Sequence, residues 1–255
     1  MLRTRVMPCL LLKNGGLIKT VKFKNHQYVG DPLNAVRIYN QKEVDELVVF
    51  DMSRTAEGKV IDFDLVEKIA SQCFMPVCYG GGVKSLQDFK ALFSLGVEKV
   101  SVSSLLFDDP EIVRQAVEIF GSQSIVATID LQRPLFRSTY IIKTHSGTIK
   151  RSLKLSQIVS YCENLGIGEI IINNINQEGT WEGFDIDLLK TITASAKVPV
   201  VALGGAGSLE DIQEAVDDGG ASAVCIGSMA VFQSKGMGVL IKFPKSSELE
   251  KLFGI

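Results

Sequence analysis

Four short segments of this 255-residue chain hold residues able to grip an anion. Tyr79-Gly80-Gly81-Gly82 and Ser101-Val102-Ser103-Ser104 lie in the first half. Leu203-Gly204-Gly205-Ala206-Gly207 and Gly227-Ser228 lie in the second. Glycine lets backbone N–H groups approach an anion closely, a following helix adds its positive N-terminal end, and serine hydroxyls add donors. Gly82 with Ser103 and Ser104, and Gly205 with Gly227 and Ser228, therefore form two candidate phosphate cradles. A pair of cradles implies a ligand with a phosphate at each end. Two aspartates close apolar runs, Asp51 after LVVF and Asp130 after IVATI, so each carboxylate should emerge at the edge of a core. Asp130, flanked by the glycine loops, is the candidate general acid/base, and Asp51 a candidate ligand contact. Asn173, Asn174 and Asn176 offer hydrogen bonds but no proton transfer near neutral pH. Lys19, Lys22 and Lys24 follow a Gly-Gly pair, either as a lid that carries a lysine to a phosphate or as a solvated loop.

The elements that must position these residues are short. Near-continuous apolar runs occur at 5–11, 46–51, 76–80, 98–103, 124–130, 169–173, 199–204 and 222–227. Such runs suit strands buried on both faces of a parallel sheet. Amphipathic helix-like stretches separate them, with Ser85 and Ser208 as candidate N-caps. Eight βα units in about 250 residues predict an α/β fold, a (βα)8 TIM barrel, as a single domain over residues 1–255. A shift of 123 positions carries Glu46 to Glu169, Asp62 to Asp185, Ser85-Leu86 to Ser208-Leu209 and Asp88 to Asp211. The matches include polar loop residues, so two half-barrel repeats are expected, about 1–123 and 124–255.

Charges also collect at the opposite ends of the strands. Arg5, Glu46, Lys99 and Glu169 open strands one, two, four and six, and two positive with two negative charges can pair in a ring. A charged plug is costly to desolvate and apolar packing usually serves as well, so a ring suggests that something polar passes there or that a partner docks.

Composition narrows the function classes. Lys+Arg is 27 and Asp+Glu 29, giving a formal net charge of -2, and aromatics are 7%. Neither a basic surface nor a base-stacking platform is indicated, so no nucleic acid is expected as a partner. No apolar run reaches the roughly 18 residues of a membrane span. Five widely spaced cysteines read as reduced core residues of a cytoplasmic protein. With two histidines and no zinc-type spacing, no metal and no cofactor is expected.

The order RVMPCLLLKNGG, YVGDP, DELVVFD, PVCYGGGVKS, GVEKVSVSS, FGSQSIVATID, GIGEIIIN, QEGT, GFD and VVALGGAG resembles the cyclase subunit of imidazole glycerol phosphate synthase. The likeness spans essentially the whole chain. It implies a (βα)8 barrel of histidine biosynthesis, with a separate glutaminase subunit docked at the bottom to form a heterodimer. Ammonia passes through the barrel to a bisphosphorylated ribonucleotide at the top, where a cyclase and lyase reaction consumes it. The resemblance assigns Arg5, Glu46, Lys99 and Glu169 to the ammonia gate. It puts Gln123 at the partner interface, and Gly179 of QEGT and Lys19 among the substrate contacts.

The departures lie at the top. Leu11 stands where the family has an aspartate that partners the one matching Asp130. Asn173 replaces a threonine, Asn176 and Glu178 replace aspartates, and Leu203 replaces a serine. The pattern CLLLK with KTVKFK resembles a divergent branch found with surface-polysaccharide genes. That branch implies an alternative: a subunit with little cyclase activity that conducts ammonia to an amidotransferase, building amidino groups on the sugars of lipopolysaccharide. The sister sugar isomerase shares the half-barrel repeat but needs no partner, and the four-charge ring argues against it.

Overall fold

The computed structural model of the protein describes residues 4–135 and 139–254. Among the described residues twelve strands form: β1 (Arg5–Lys13), β2 (Gly16–Val21), β3 (Lys24–Gly30), β4 (Leu47–Asp51), β5 (Val77–Gly80), β6 (Lys99–Val102), β7 (Ile125–Gln132), β8 (Ile141–Thr144), β9 (Ile149–Lys150), β10 (Glu169–Asn174), β11 (Val200–Leu203) and β12 (Ala223–Ile226). Eight of them pair in parallel in the order β1-β4-β5-β6-β7-β10-β11-β12, and β12 pairs back with β1. The sheet is thus a closed (βα)8 barrel, as the eight apolar runs predict.

The inside of the barrel is lined by Met7, Cys9, Val48, Cys78, Val126, Ile171, Val201, Leu203, Ala223 and Cys225, with Leu11 and Phe50 packed against them. A larger apolar layer lies between the sheet and its jacket of helices. Tyr39, fully buried in that layer, donates its hydroxyl to the Ala230 carbonyl at 2.9 Å, tying the first helix to the last βα unit.

Helix starts follow their local chemistry. Asp62 and Asp185 cap Phe63–Gln72 and Ile186–Thr193, accepting from the Leu65 and Leu188 N–H groups at 3.1 Å each. Ser85 with Asp88 and Ser208 with Asp211 close reciprocal capping boxes on Leu86–Ser94 and Leu209–Asp217. Each such cap is worth about 1 kcal/mol.

Two antiparallel hairpins rise from the barrel, and neither is read from the sequence. The segment expected as a lysine-bearing loop is β2–β3, which pairs with an extended β1. The second hairpin, β8–β9, pairs with an extended β7. The hairpins meet above the barrel. A Cβ placed on Gly147 would lie 3.1 Å from the Phe23 ring, so the two tips are in contact.

Candidate active site

The C-terminal ends of the barrel strands and the two hairpins enclose a mouth. It is lined by Leu11, Lys19, Asp51, Asp130 and Glu178, by the glycine loops, and by Ser103, Ser104, Gly227 and Ser228. The predicted acid/base and ligand contacts all line this one cavity, Gly82, Gly179 and Gly205 included, as does Asn173. Asn174 and Asn176 do not, and donate instead to Asp185 Oδ2 at 2.8 Å and the Arg133 carbonyl at 3.0 Å.

Asp130 is buried, and Asn173 Nδ2 donates to its Oδ1 at 2.9 Å. Burial pushes its carboxyl up to about 7; the Asn173 hydrogen bond opposes that rise and the Glu178 charge adds to it. A group balanced between its two forms near neutral pH can both give and take a proton. Two buried polar atoms close by lack hydrogen-bond partners among the described residues, Asn173 Oδ1 and Ser103 Oγ. Buried polar atoms are normally satisfied, so unpartnered ones facing a cavity are suited to a polar ligand.

Asp51 reaches the mouth with its oxygens already engaged. Oδ1 accepts from Ser53 N at 3.1 Å and Ser53 Oγ at 2.6 Å, and Oδ2 pairs with Arg54 Nε at 2.7 Å. Leu11 packs on the barrel interior beside Phe50 and gives the mouth an apolar wall.

The glycines of the cradles do what a side chain would prevent. A Cβ on Gly82, at φ +78°, would stand 2.7 Å from Arg54 Cβ. One on Gly205, at φ +122°, would stand 2.0 Å from the Gly183 carbonyl oxygen. Ser228 begins the short helix Ser228–Val231.

Of the three lid lysines, Lys19 alone turns inward. It is 4% exposed and donates Nζ to the Cys9 carbonyl at 2.6 Å. Burial lowers its pKa, and the nearby Cys9 and Glu178 act against that. Lys22 and Lys24 are exposed. The β2–β3 hairpin is latched by Glu178, whose Oε1 accepts from Thr20 Oγ1 at 2.7 Å and Oε2 from Phe23 N at 2.9 Å. The latch joins residues far apart in the chain, and residue type alone gives no sign of it.

At the opposite end the four charges come together. Arg5 Nη1 pairs with Glu46 Oε2 at 2.6 Å, and Arg5 Nη2 with Glu169 Oε1. Lys99 Nζ pairs with Glu46 Oε2 and Glu169 Oε2, each at 2.8 Å. The result is a closed ring in which each cation bridges both carboxylates. Burial acts to lower the pKa of Arg5 and of Lys99, but Glu169 and Glu46 outweigh it and both are raised. Above the ring the lining is uncharged, because burial pushes Cys9 up to about 11 and holds Cys78 and Cys225 well above the ordinary thiol range. Gln123 lies exposed in the turn Ser122–Ser124, just before β7 and so at the same end as the ring.

Comparison with known proteins gives the site its context. Residues 5–235 match the family described as "Histidine biosynthesis protein". The chain is 44% identical over 251 residues to a Vibrio vulnificus protein provisionally named an imidazole glycerol phosphate synthase subunit, covering 98% of this chain and 96% of that one. A Leptospira interrogans protein with a similarly provisional name is 42% identical over 253 residues, 99% of this chain and 100% of its own. The imidazole glycerol phosphate synthase subunit HisF of Desulfovibrio desulfuricans is 38% identical over 233 residues, 90% of each chain.

Proposed function

The chain belongs to the histidine biosynthesis protein family, and on that footing we propose that it is an imidazole glycerol phosphate synthase cyclase-type subunit. It receives ammonia at the ring of Arg5, Glu46, Lys99 and Glu169 from a glutaminase subunit docked on that face beside Gln123. It uses the ammonia on a bisphosphorylated ribonucleotide held in the mouth. The observation that carries this reading is the stacking of a closed charge ring, an uncharged lining and a two-cradle mouth along one barrel. Neutral ammonia is small and crosses an uncharged lining readily. Ammonium would have to shed its charge at the ring, since a bare cation in an apolar interior is costly.

In the mouth, Gly82, Ser103 and Ser104 hold one phosphate, and Gly205, Gly227 and Ser228 the other. Gly179 keeps the Glu178 segment against the hairpin that carries Lys19; a Cβ there would stand 2.2 Å from the Thr20 carbonyl oxygen. Lys19 Nζ, which would be 3.3 Å from a Cβ on Gly227, supplies a cation to the second phosphate. Asp51 holds Arg54 and the start of Met52–Ala56 beside the first cradle. Asp130 is the proton-transfer group. It takes a proton from the attacking nitrogen as that forms its new bond and returns one to the leaving group. Five free cysteines fit a reducing compartment, the cytoplasm.

A specific observation favours a second reading. Leu11 cannot transfer a proton, and it stands on the mouth where a second carboxylate would serve the chemistry. On that reading the protein conducts ammonia, with little cyclase activity, to an amidotransferase of surface-polysaccharide synthesis. Steady-state turnover with ammonium and the bisphosphorylated ribonucleotide separates the two. Measurable turnover that Asp130→Asn abolishes supports the cyclase. Wild-type turnover no greater than that of Asp130→Asn supports the conduit.

A further inference from the structure

His145 sits at the tip of the β8–β9 hairpin and lines the mouth together with Asp130, Lys19 and Glu178. The turn that holds it is unusual. His145, Ser146 and Gly147 are successive left-handed residues, at φ 55°, 53° and 80°. Non-glycine residues rarely adopt that region, and consecutive ones seldom occur without a structural reason.

The ring is also oriented from behind. Thr144, with no exposed surface, places Oγ1 3.2 Å from His145 Nδ1. The same oxygen accepts from Arg151 Nε at 2.9 Å. Arg151 is itself fixed, pairing with Asp108 at 2.8 Å and lying 5.3 Å over the Phe107 ring. A threonine hydroxyl has a single hydrogen. Among the described residues, His145 Nδ1 is the one acceptor within reach of it. With one lone pair of that oxygen taken by Arg151, a Thr144 hydroxyl that donates to Nδ1 leaves the imidazole proton on Nε2.

We infer that His145 is a ligand-binding residue of the mouth, held by the Asp108–Arg151–Thr144 chain as the Nε2–H tautomer so that it donates a hydrogen bond to an oxygen of the phosphorylated ligand. The inference rests on the reading of the mouth as a site for a bisphosphorylated ribonucleotide. It assigns that site a specificity-determining donor on the lid side, facing the cradles.

The chain has two histidines, which makes the test direct. His26, exposed beside Lys13, is the internal control. The full chain is labelled with ¹⁵N-histidine and its imidazole nitrogens are read by NMR, first alone and then with saturating bisphosphorylated ribonucleotide; amide signals of Gly82 and Gly205 are followed in parallel. The expected result is an Nε2–H His145 that loses its tautomer preference in Thr144→Val. Its Nε2 resonance should move with ligand while His26 does not. His145→Ala should raise KM roughly tenfold, the scale of one lost hydrogen bond, with kcat nearly unchanged, and His145→Gln should restore part of the loss. An Nδ1–H tautomer in the free protein overturns the inference. So does a silent His145 while the glycine amides respond, and in that case the proposed function stands. If the glycine amides and His145 are silent together, the reading of the mouth fails and the inference fails with it.

Discussion

Leu11 and Asp130 occupy the same station on two different strands. Each pairs in parallel with a barrel neighbour, Leu11 with Phe50 and Asp130 with Asn173, and each also pairs antiparallel with its hairpin, Leu11 with Ile18 and Asp130 with Lys143. Both side chains face the mouth. The site is therefore built for two groups of equal standing, and one of the two is apolar.

Replacing Leu11 by Asp should raise ammonia-dependent turnover. A positioned acid or base contributes about 10²–10⁴-fold in steps that move protons. Wild type is expected to turn over orders of magnitude more slowly than a family member with two aspartates. Recovery should be partial, because Asn173, Asn176, Glu178 and Leu203 remain. The variant should also be about 1–3 kcal/mol less stable, since Leu11 packs on the barrel interior beside Phe50. Steady-state kinetics and denaturant titration of the two proteins check both effects.

Asp130→Asn should stabilise the protein, and more so at higher pH. Burial pushes the Asp130 carboxyl up to about 7 in the folded protein, against 3.8 for an ordinary aspartate. A carboxyl raised on folding favours the folded state below its unfolded pKa, and that advantage is lost as pH rises from there through about 7. Asparagine does not titrate, so the gap between variant and wild type should widen by on the order of 1–3 kcal/mol from pH 5 to pH 8 and then level off. Thermal unfolding at a series of pH values reads it. A constant gap would mean that the Asp130 carboxyl is not raised.

Glu178→Gln should loosen the hairpin over the mouth. The carboxylate holds Thr20 Oγ1 at 2.7 Å and Phe23 N at 2.9 Å, and the amide oxygen of glutamine can keep one of these bonds well. Hydrogen bonds to a charged group are worth about 1.5–3 kcal/mol. Amide exchange across residues 16–30 should quicken, while exchange in β5 and β11 should not change. Uniform exchange across the chain would show that Glu178 supports the whole barrel rather than the lid.

Gly205→Val should weaken binding of the bisphosphorylated ribonucleotide at the second cradle. Its Cβ would lie 2.0 Å from the Gly183 carbonyl, and φ +122° is foreign to valine. Calorimetric titration should show at least a tenfold weaker Kd in a protein that keeps its circular dichroism spectrum. Unchanged affinity would remove the second cradle from the site.

The barrel is legible in the sequence because its strands are buried on both faces and read as apolar runs. The hairpins are not. β3 (KNHQYVG) is mostly exposed and polar, and its turn places Lys22 and Phe23 at φ 54° and 60° without the Asn-Gly or Asp-Gly that marks such turns. Asp130 can be found because a carboxylate ends an apolar run, although β7 continues two residues beyond it to pair with β8. Glu178 is legible as a departure from the family pattern, but its latch is not, because its partners lie more than 150 positions away and only the closed mouth brings them together. The ring charges are legible by type and position, yet the bridging of both carboxylates by each cation emerges only with the barrel closed.

Isotope competition tests the central claim most directly. The protein, its cognate glutaminase, the bisphosphorylated ribonucleotide and glutamine labelled with ¹⁵N in the side-chain amide are combined in a buffer of unlabelled ammonium, and the nitrogen incorporated into product is measured. Passage through the ring and the barrel predicts product enriched in ¹⁵N well above the bulk ammonium pool, with Lys99→Ala lowering that enrichment. Product whose nitrogen matches the bulk pool, or no product at all, would contradict the account.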